Sequence, residues 1–176
     1  MVGNQMGVRS DDAQECTSLM RVDARAATAG DLEELVRLYR LLTDEMRLYH
    51  PMWEMADGLP EPVEEALRTA LQDAYTLLYL GTIDDVPFGF IMGRSEPLLA
   101  QAGGRRIGSI RFVFTELEAR EVGVGEAMRD ALLEEFRARG HHLFDAHVLP
   151  GHRLVKNFFE SGGFSARSIV MHHRDD

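Results

Sequence analysis

Two glycines, one residue apart, mark a place where this sequence could bind an anion. They lie in the segment 120–126, Arg-Glu-Val-Gly-Val-Gly-Glu, between a run of β-branched and aromatic residues and a stretch with helical spacing. A helix that begins straight after a strand has unpaired main-chain N–H groups in its first turn, and glycine lets a phosphate approach them without meeting a Cβ. The spacing therefore predicts a phosphate-binding loop, although such glycines also occur where a helix simply begins.

Hydrophobic periodicity predicts the elements that would position this loop. A strand is predicted over 107–115 and a helix over 127–140, which ends at Gly140. Before the glycine loop, the other predicted elements are a strand at 21–27, a helix from 32 to about 45, a loop or broken helix at 49–62, a short helix at 61–73, and strands at 75–83 and 86–94 around the turn Asp84-Asp85. After it come a strand at 142–149, a helix at 151–161, and one or two strands over 164–172. The order is β-α-α-β-β-β-α-β-α-β.

Composition limits the classes of protein to consider. A chain of 176 residues, 45% of them hydrophobic, suits one domain, expected over 19–176 after a disordered extension at 1–18. The formal charge of −10 argues against nucleic acid as a partner; it suits a cationic substrate such as an amine, or simply solubility. A single cysteine, Cys16, excludes an internal disulfide framework. Without an apolar run of about 20 residues or a signal pattern, we expect a cytoplasmic protein that does not enter a membrane.

The position of the glycine motif argues against a doubly wound dinucleotide-binding fold. Such a fold carries its glycine motif after the first strand, whereas here the motif comes two-thirds of the way along the chain, behind three strands predicted to form an antiparallel meander. A strand–helix–strand crossover follows the meander. The order therefore predicts a sheet with both antiparallel and parallel pairs.

Two spaced motifs resemble the GNAT superfamily of acyl-CoA-dependent N-acetyltransferases. Arg120-x-x-Gly123-x-Gly125 is similar to the family's Arg/Gln-x-x-Gly-x-Gly/Ala signature, and the segment 158–164, Phe-Phe-Glu-Ser-Gly-Gly-Phe, is similar to its later F-Y-E-x-x-G-F segment. The opening at 25–32 also resembles the family's first strand and helix. The resemblance implies an α/β fold of the α+β type, a single GNAT-like domain whose mixed, mostly antiparallel sheet is flanked by helices and contains two splayed strands.

The resemblance also implies acetyl-CoA as co-substrate, with no metal, and an amine acceptor that is a small molecule, a peptide or a protein. Main-chain N–H groups of the glycine loop would hold the pyrophosphate, and the free backbone edge of the preceding strand would hold the pantetheine arm. The Arg120 side chain would either contact phosphate or pair with Glu116 or Glu118. The residues expected at the cofactor are Phe112, Val113, Phe114, Thr115, Arg120, Glu121, Val122, Gly123, Val124, Gly125, Glu126, His152 and Phe159.

His147 is the first candidate for the base that removes a proton from the attacking amine. It lies on the predicted strand 142–149, where some family members resemble it in carrying a glutamate as base. An unperturbed imidazole, with a pKa of about 6.5, accepts a proton at physiological pH. Glu116 and Asp145 are weaker candidates, and an ordinary strand residue is the alternative for His147.

Two positions depart from the family pattern. Phe159 stands where the family often has a tyrosine that protonates the leaving thiolate, and a phenyl ring has no proton to give. His152 stands where an asparagine is usual, so it would hydrogen-bond pantetheine, act as an acid or serve only as a polar residue before the helix. These changes leave three functions open: an active N-acetyltransferase, an acyl-CoA-binding sensor without turnover, and a structural or partner-binding domain.

The acceptor site is expected in the aromatic loop at 49–62. Tyr49 and Trp53 would line a pocket, and Glu54 would attract a cation. The same loop would equally serve as a lid or as a dimer contact, and a homodimer is common in the family. The pairs His141-His142 and His172-His173 give little support to a metal site, because adjacent residues on a strand point to opposite faces.

Overall fold

A five-stranded sheet forms the middle layer of the computed structural model, which describes residues 20–49, 58–149, 151–171 and 173. Its strands lie side by side in chain order, and all pairs are antiparallel except the last, which is parallel. They are β1 (Val22–Ala26), β2 (Thr76–Ile83), β3 (Val86–Pro97), β4 (Arg106–Thr115) and β5 (Phe144–Ala146). The helices are α1 (Leu32–Tyr49), α2 (Val63–Gln72), α3 (Val124–Ala138) and α4 (Arg153–Ser161). This arrangement confirms the predicted α+β class and the mixed, mostly antiparallel sheet.

Helices cover both faces of the sheet, and the strands alternate between the two apolar layers. Along β2, Leu78 and Leu80 face α1 and α2, whereas Leu77 and Tyr79 face α3 and α4. This alternation explains why the central strands contain near-continuous hydrophobic runs, since both of their faces are buried.

Glycines let α3 lie close against the sheet. A Cβ at Gly93 would come within 2.9 Å of the Phe136 ring, and one at Gly108 within 2.8 Å. Phe136 itself is fully buried. The ring therefore occupies the space that side chains on β3 and β4 would otherwise fill.

Several predicted boundaries shift in the structure. Helix α1 extends to Tyr49 instead of ending near Glu45, and α3 begins at Val124 instead of residue 127. Strand β5 is confined to Phe144–Ala146, because β4 diverges from it beyond Ile110. Within residues 58–149 and the other described ranges, no helix is long and apolar enough to cross a bilayer.

The predicted closing strand is wrong for the described residues 164–171, which form neither strand nor helix. Ile169, Val170 and Met171 are exposed, and Arg167 forms an ion pair with Asp145. Strand-forming residues need a neighbouring backbone edge, and this segment pairs with none among the described strands. The extension predicted at 1–18 lies outside the described residues.

Candidate functional site

The site is built around a gap between β4 and β5. Their pairing begins at Gly108 and Phe144 and ends at Ile110 and Ala146. The main-chain N–H of His147 then donates to the Ile110 carbonyl across 3.0 Å. Strand β4 continues to Thr115 without pairing to β5, so the two strands splay as the family resemblance implied.

A β-bulge in β4 lies where the splay begins. The register with β3 skips a residue, because Met92 faces Phe112 whereas Gly93 faces Ile110, and Arg111 is left without a partner in the register. The Arg111 side chain reaches Glu96 instead, at 3.4 Å. A bulge bends its strand and increases its twist, which gives a local cause for the departure of β4 from β5.

The outer edge of β4 carries main-chain groups that face the gap. The Glu116 N–H donates to the Phe88 carbonyl on β3 across 2.8 Å, so the alternation along the strand directs the polar groups of Val113 and Thr115 the other way. The side chains of Phe112 and Phe114 are buried in the layer under α1. Main-chain groups of Val113 and Thr115 therefore face the gap, although the Thr115 carbonyl already accepts a hydrogen bond from Arg120. Their contact with pantetheine stays a prediction.

The glycine loop has the geometry of an anion site. Gly123 has φ 97°, a conformation that favours glycine, and it caps α3. The first helical bond joins the Ala127 N–H to the Gly123 carbonyl at 2.9 Å, so the N–H groups of Val124, Gly125 and Glu126 have no acceptor within the helix. A Cβ at Gly123 would meet no atom of the described residues within 4 Å.

The prediction that Arg120 pairs with Glu116 or Glu118 is wrong. Its guanidinium bonds to Glu45 on α1 at 2.5 Å, and its Nε donates to the Thr115 carbonyl at 2.9 Å. Glu116, one of the expected partners, binds Arg37 at 2.6 Å instead. Arg120 therefore anchors the loop to α1 and to the outer edge of β4, and phosphate contact by its side chain stays a prediction.

His147 lies at the fork where the two strands part. Its side chain is exposed, and its Nε2 lies 3.2 Å from the hydroxyl oxygen of Ser109, which is buried. Asp145, a weaker candidate for the base, holds Arg167 through a bond of 2.7 Å. Both weaker candidates, Glu116 and Asp145, are engaged in ion pairs, and the role of His147 as the base stays a prediction.

His152 and Phe159 have different surroundings. His152 lies just before α4, with its Nε2 3.8 Å from a carboxylate oxygen of Glu45. Burial lowers the pKa of His152, an effect that Glu45 opposes and Arg120 reinforces. Phe159 is buried between the rings of Phe158 and Phe164, with centroids 5.0 and 5.2 Å away, so it packs in the core.

The acceptor residues predicted from the sequence are largely beyond what the structure describes. Trp53 and Glu54 lie outside the described residues, and Tyr49 is the last residue of α1. A groove of about 390 Å³ lies between α2 and the sheet, and its lining begins in the sequence at Leu59. Its charged lining residues are Glu61, Glu65, Asp73 and Arg94.

Within the described residues, no three His, Cys, Asp or Glu side chains are placed to hold a metal ion together. His141 is buried, and its Nε2 lies 2.6 Å from the Ser95 hydroxyl oxygen, so it belongs to the core. His172 lies outside the described residues.

Sequence reasoning missed Glu45 and Ser109. Glu45 is 75 positions from Arg120 and meets it only because α1 packs across β4. Ser109 meets His147 only through the pairing of β4 with β5. No local motif marks either residue, because both contacts are products of the tertiary fold.

Solved structures share this architecture. The aminoglycoside N-acetyltransferase AAC(6')-Iy, in complex with the bisubstrate analog CoA-S-monomethyl-acetylneamine, matches with a TM-score of 0.68 and 16% identity over 89% of this chain and 99% of that one. A ribosomal-protein-alanine N-acetyltransferase from Brucella melitensis biovar Abortus 2308 matches with a TM-score of 0.65 and 17% identity over 88% and 100%. A transcriptional regulator from Bacillus halodurans C-125 matches with a TM-score of 0.69 and 25% identity over 87% and 100%.

No protein-family model matches the sequence, and no curated protein matches it. The likeness therefore lies in the fold, which extends over almost the whole length of each of these structures.

Proposed function

We propose that this chain, which has the fold of the GNAT acetyltransferases, transfers an acetyl group from acetyl-CoA to a primary amine. One observation carries the proposal: the pairing of β4 with β5 ends at Ile110, and the glycine loop opens α3 beyond the free end of β4. A gap between strands next to an anion site suits a ligand with an extended arm and a diphosphate.

The glycine loop would hold the diphosphate of coenzyme A. The three N–H groups of Val124, Gly125 and Glu126 point out of the first turn of α3, where the helix dipole favours negative charge. The pantetheine arm would then lie along the outer edge of β4 and bond to the main chain of Val113 and Thr115 like an added strand. This placement directs the thioester towards the fork at Ile110 and His147.

The reaction joins the amine nitrogen to the acetyl carbon and breaks the bond from that carbon to sulfur. A protonated amine first releases one proton to water, which frees the lone pair on nitrogen. The attacking nitrogen then loses a second proton to His147, and the electron pair of the broken bond leaves with sulfur as a thiolate. A thiol with an ordinary pKa of about 8.5 is a good leaving group near neutral pH, so water suffices to protonate it. The chemistry is therefore compatible with phenylalanine at position 159.

The acceptor is proposed to be a cationic amine. The carboxylates of Glu61, Glu65 and Asp73 line the groove between α2 and the sheet, and the chain carries a formal charge of −10. Arg94 on β3 borders this groove and lies beside Ser109 of β4 in the register. The groove therefore ends on β3, the strand next to Ser109 of β4, which contacts His147.

A panel of amines with acetyl-CoA and the full chain tests the function, with release of free thiol as the readout. We expect release that depends on at least one amine and falls strongly in His147→Ala. Tight binding of acetyl-CoA by calorimetry without thiol release from any amine would instead favour a sensor, the second candidate, for which the buried Phe159 argues. Absence of acetyl-CoA binding would overturn both functions.

A further inference from the structure

The carboxylate of Glu45 links residues on the two sides of the gap, which we call the β4 wall and the β5 wall. One of its oxygens accepts a hydrogen bond from Arg120, which is attached to the β4 wall. The other lies 3.8 Å from Nε2 of His152, which precedes α4 on the β5 wall. The side chain of Glu45 is 23% exposed and that of His152 is 11% exposed, so solvent screens this charge only partly.

Arg120 is fixed by three contacts. Its Nε donates to the Thr115 carbonyl at 2.9 Å, and its guanidinium lies 5.9 Å from the centre of the Phe114 ring. Its Nη2 donates to the carboxylate of Glu45. Two of these partners belong to the outer part of β4. The orientation of the guanidinium is therefore coupled to the strand edge that faces the gap.

Helix α1 crosslinks the segment before the glycine loop at two points. Arg37 binds Glu116 at 2.6 Å, and two turns further along the helix Glu45 binds Arg120. A partly buried guanidinium that loses its carboxylate keeps the cost of desolvation without the compensating attraction. Loss of Glu45 is therefore expected to release Arg120 from its place on β4.

We propose that Glu45 is a positioning residue of the transferase, which acts through Arg120 on the edge of β4 and through His152 on the start of α4. Glu45 thereby keeps the two walls of the gap at the separation that one extended thioester arm requires. The inference rests on the proposed function, because the width of the gap matters only if the arm enters it.

The protonation of His152 reports this contact directly. Among the described residues, Glu45 on α1 and Arg120 before α3 act on the charge of His152. Glu45 favours the imidazolium, so Glu45→Gln should lower the midpoint of the His152 titration. Asp44→Asn is the matched control, since it removes the same charge from the adjacent residue, which pairs locally with Arg47 and is well exposed.

The titration is followed by NMR of the imidazole signals in the full chain, which needs no turnover. We expect the His152 midpoint to move to lower pH in Glu45→Gln and to stay in place in Asp44→Asn. Thermal unfolding of both variants checks that they are folded. If the His152 midpoint is the same in Glu45→Gln and in wild type, the proposed contact of Glu45 with His152 is overturned.

Calorimetry with acetyl-CoA tests the positioning role. Loss of one charge-assisted hydrogen bond at the gap should weaken acetyl-CoA binding about tenfold in Glu45→Gln. Glu45→Asp keeps the charge on a shorter side chain and should recover part of the affinity. The double variant Glu45→Gln, Arg120→Gln should lose less affinity than the sum of the two single losses, because both single variants break the same contact between Glu45 and Arg120.

Unchanged affinity in Glu45→Gln, or additive losses in the double variant, would overturn the inference. A wild type that binds acetyl-CoA but transfers no acetyl group would overturn the proposed enzyme, while the calorimetry still decides the role of Glu45.

Discussion

The main-chain N–H of His147 bonds to the Ile110 carbonyl at 3.0 Å, and this bond is the last between the backbones of β4 and β5 in the described part of the chain. Beyond it, β4 carries a bulge at Arg111 and turns away. The fork therefore lies beside the candidate base. An arm that fills the gap from the glycine loop would end next to the imidazole.

His147→Ala should lower kcat by about 100-fold, because general base catalysis typically contributes 10² to 10⁴. The KM for acetyl-CoA should change little, since the proposed binding groups are main-chain atoms of the loop and of β4, which the substitution leaves in place. The measurement is the pH–rate profile with the best amine of the panel. His142→Ala is the control, because His142 is an exposed histidine just before β5. Full activity of His147→Ala, with the same loss at acid pH, would place the base elsewhere.

Asp31 stabilises the turn that starts α1. Its carboxylate bonds to Arg25 at 2.7 Å and to both the N–H and the hydroxyl of Thr28 at 2.8 Å. The Arg25 guanidinium, followed by the Thr28 bonds, holds the pKa of Asp31 well below its usual range, although partial burial opposes this. At neutral pH, Asp31→Asn should lower the free energy of unfolding by about 1 kcal/mol.

The pH dependence of this penalty has a definite sign. A carboxylate whose pKa is depressed in the folded state contributes its full stability above its unfolded pKa of about 3.9, and loses it as the pH falls through the lower folded value. Urea unfolding should therefore show a smaller difference between wild type and Asp31→Asn at strongly acid pH than at pH 7. Asp85→Asn, at an exposed ion pair with Arg21, should show almost no penalty at either pH. A penalty for Asp31→Asn that does not vary with pH would contradict the assignment.

Gly108→Ala should destabilise the fold by about 1–3 kcal/mol, the usual cost of overpacking. Its Cβ would lie 2.8 Å from the buried Phe136 ring. Gly30→Ala is the control, since its Cβ would lie 3.6 Å from the nearest atom, the Thr28 hydroxyl oxygen. Urea unfolding measures both variants. Adding Phe136→Leu to Gly108→Ala should recover part of the loss, and equal stability of Gly108→Ala and Gly30→Ala would refute this account of the packing.

The features that sequence predicted well are local. A hairpin turn at Asp84-Asp85 is confirmed, with φ 48° and 68°, because two consecutive residues with positive φ suit this type of turn and aspartate tolerates them. A glycine with positive φ at the start of the helix is confirmed at Gly123, while phosphate binding there stays a prediction. In both places the local chain decides the conformation.

The predictions that were wrong concern element ends and contacts that the tertiary fold determines. Helix α1 passes Glu45 because no residue before Tyr49 terminates it and because Met46 is buried against the core. The predicted strand over 142–149 shortens to Phe144–Ala146 because the bulged partner strand leaves it. The contact of Glu45 with Arg120 could not be predicted from the sequence, because it depends on how α1 crosses β4.

The central claim is that the N–H groups at the start of α3 hold the diphosphate of coenzyme A, and Gly123→Ala tests it with an internal control. At Gly123 and at Gly140, near the opposite end of α3, φ is 97° and 82°. At neither position would a Cβ meet an atom of the part of the chain that the structure describes within 4 Å. Both alanine variants therefore carry a similar conformational cost, about 1–2 kcal/mol. Only the methyl group at position 123 would project beside the proposed diphosphate.

The measurement is the affinity for acetyl-CoA by isothermal titration calorimetry of wild type, Gly123→Ala and Gly140→Ala, at a temperature where all three are folded. We predict micromolar binding by wild type and by Gly140→Ala, and at least tenfold weaker binding by Gly123→Ala. Equal affinities of the two variants would contradict the claim.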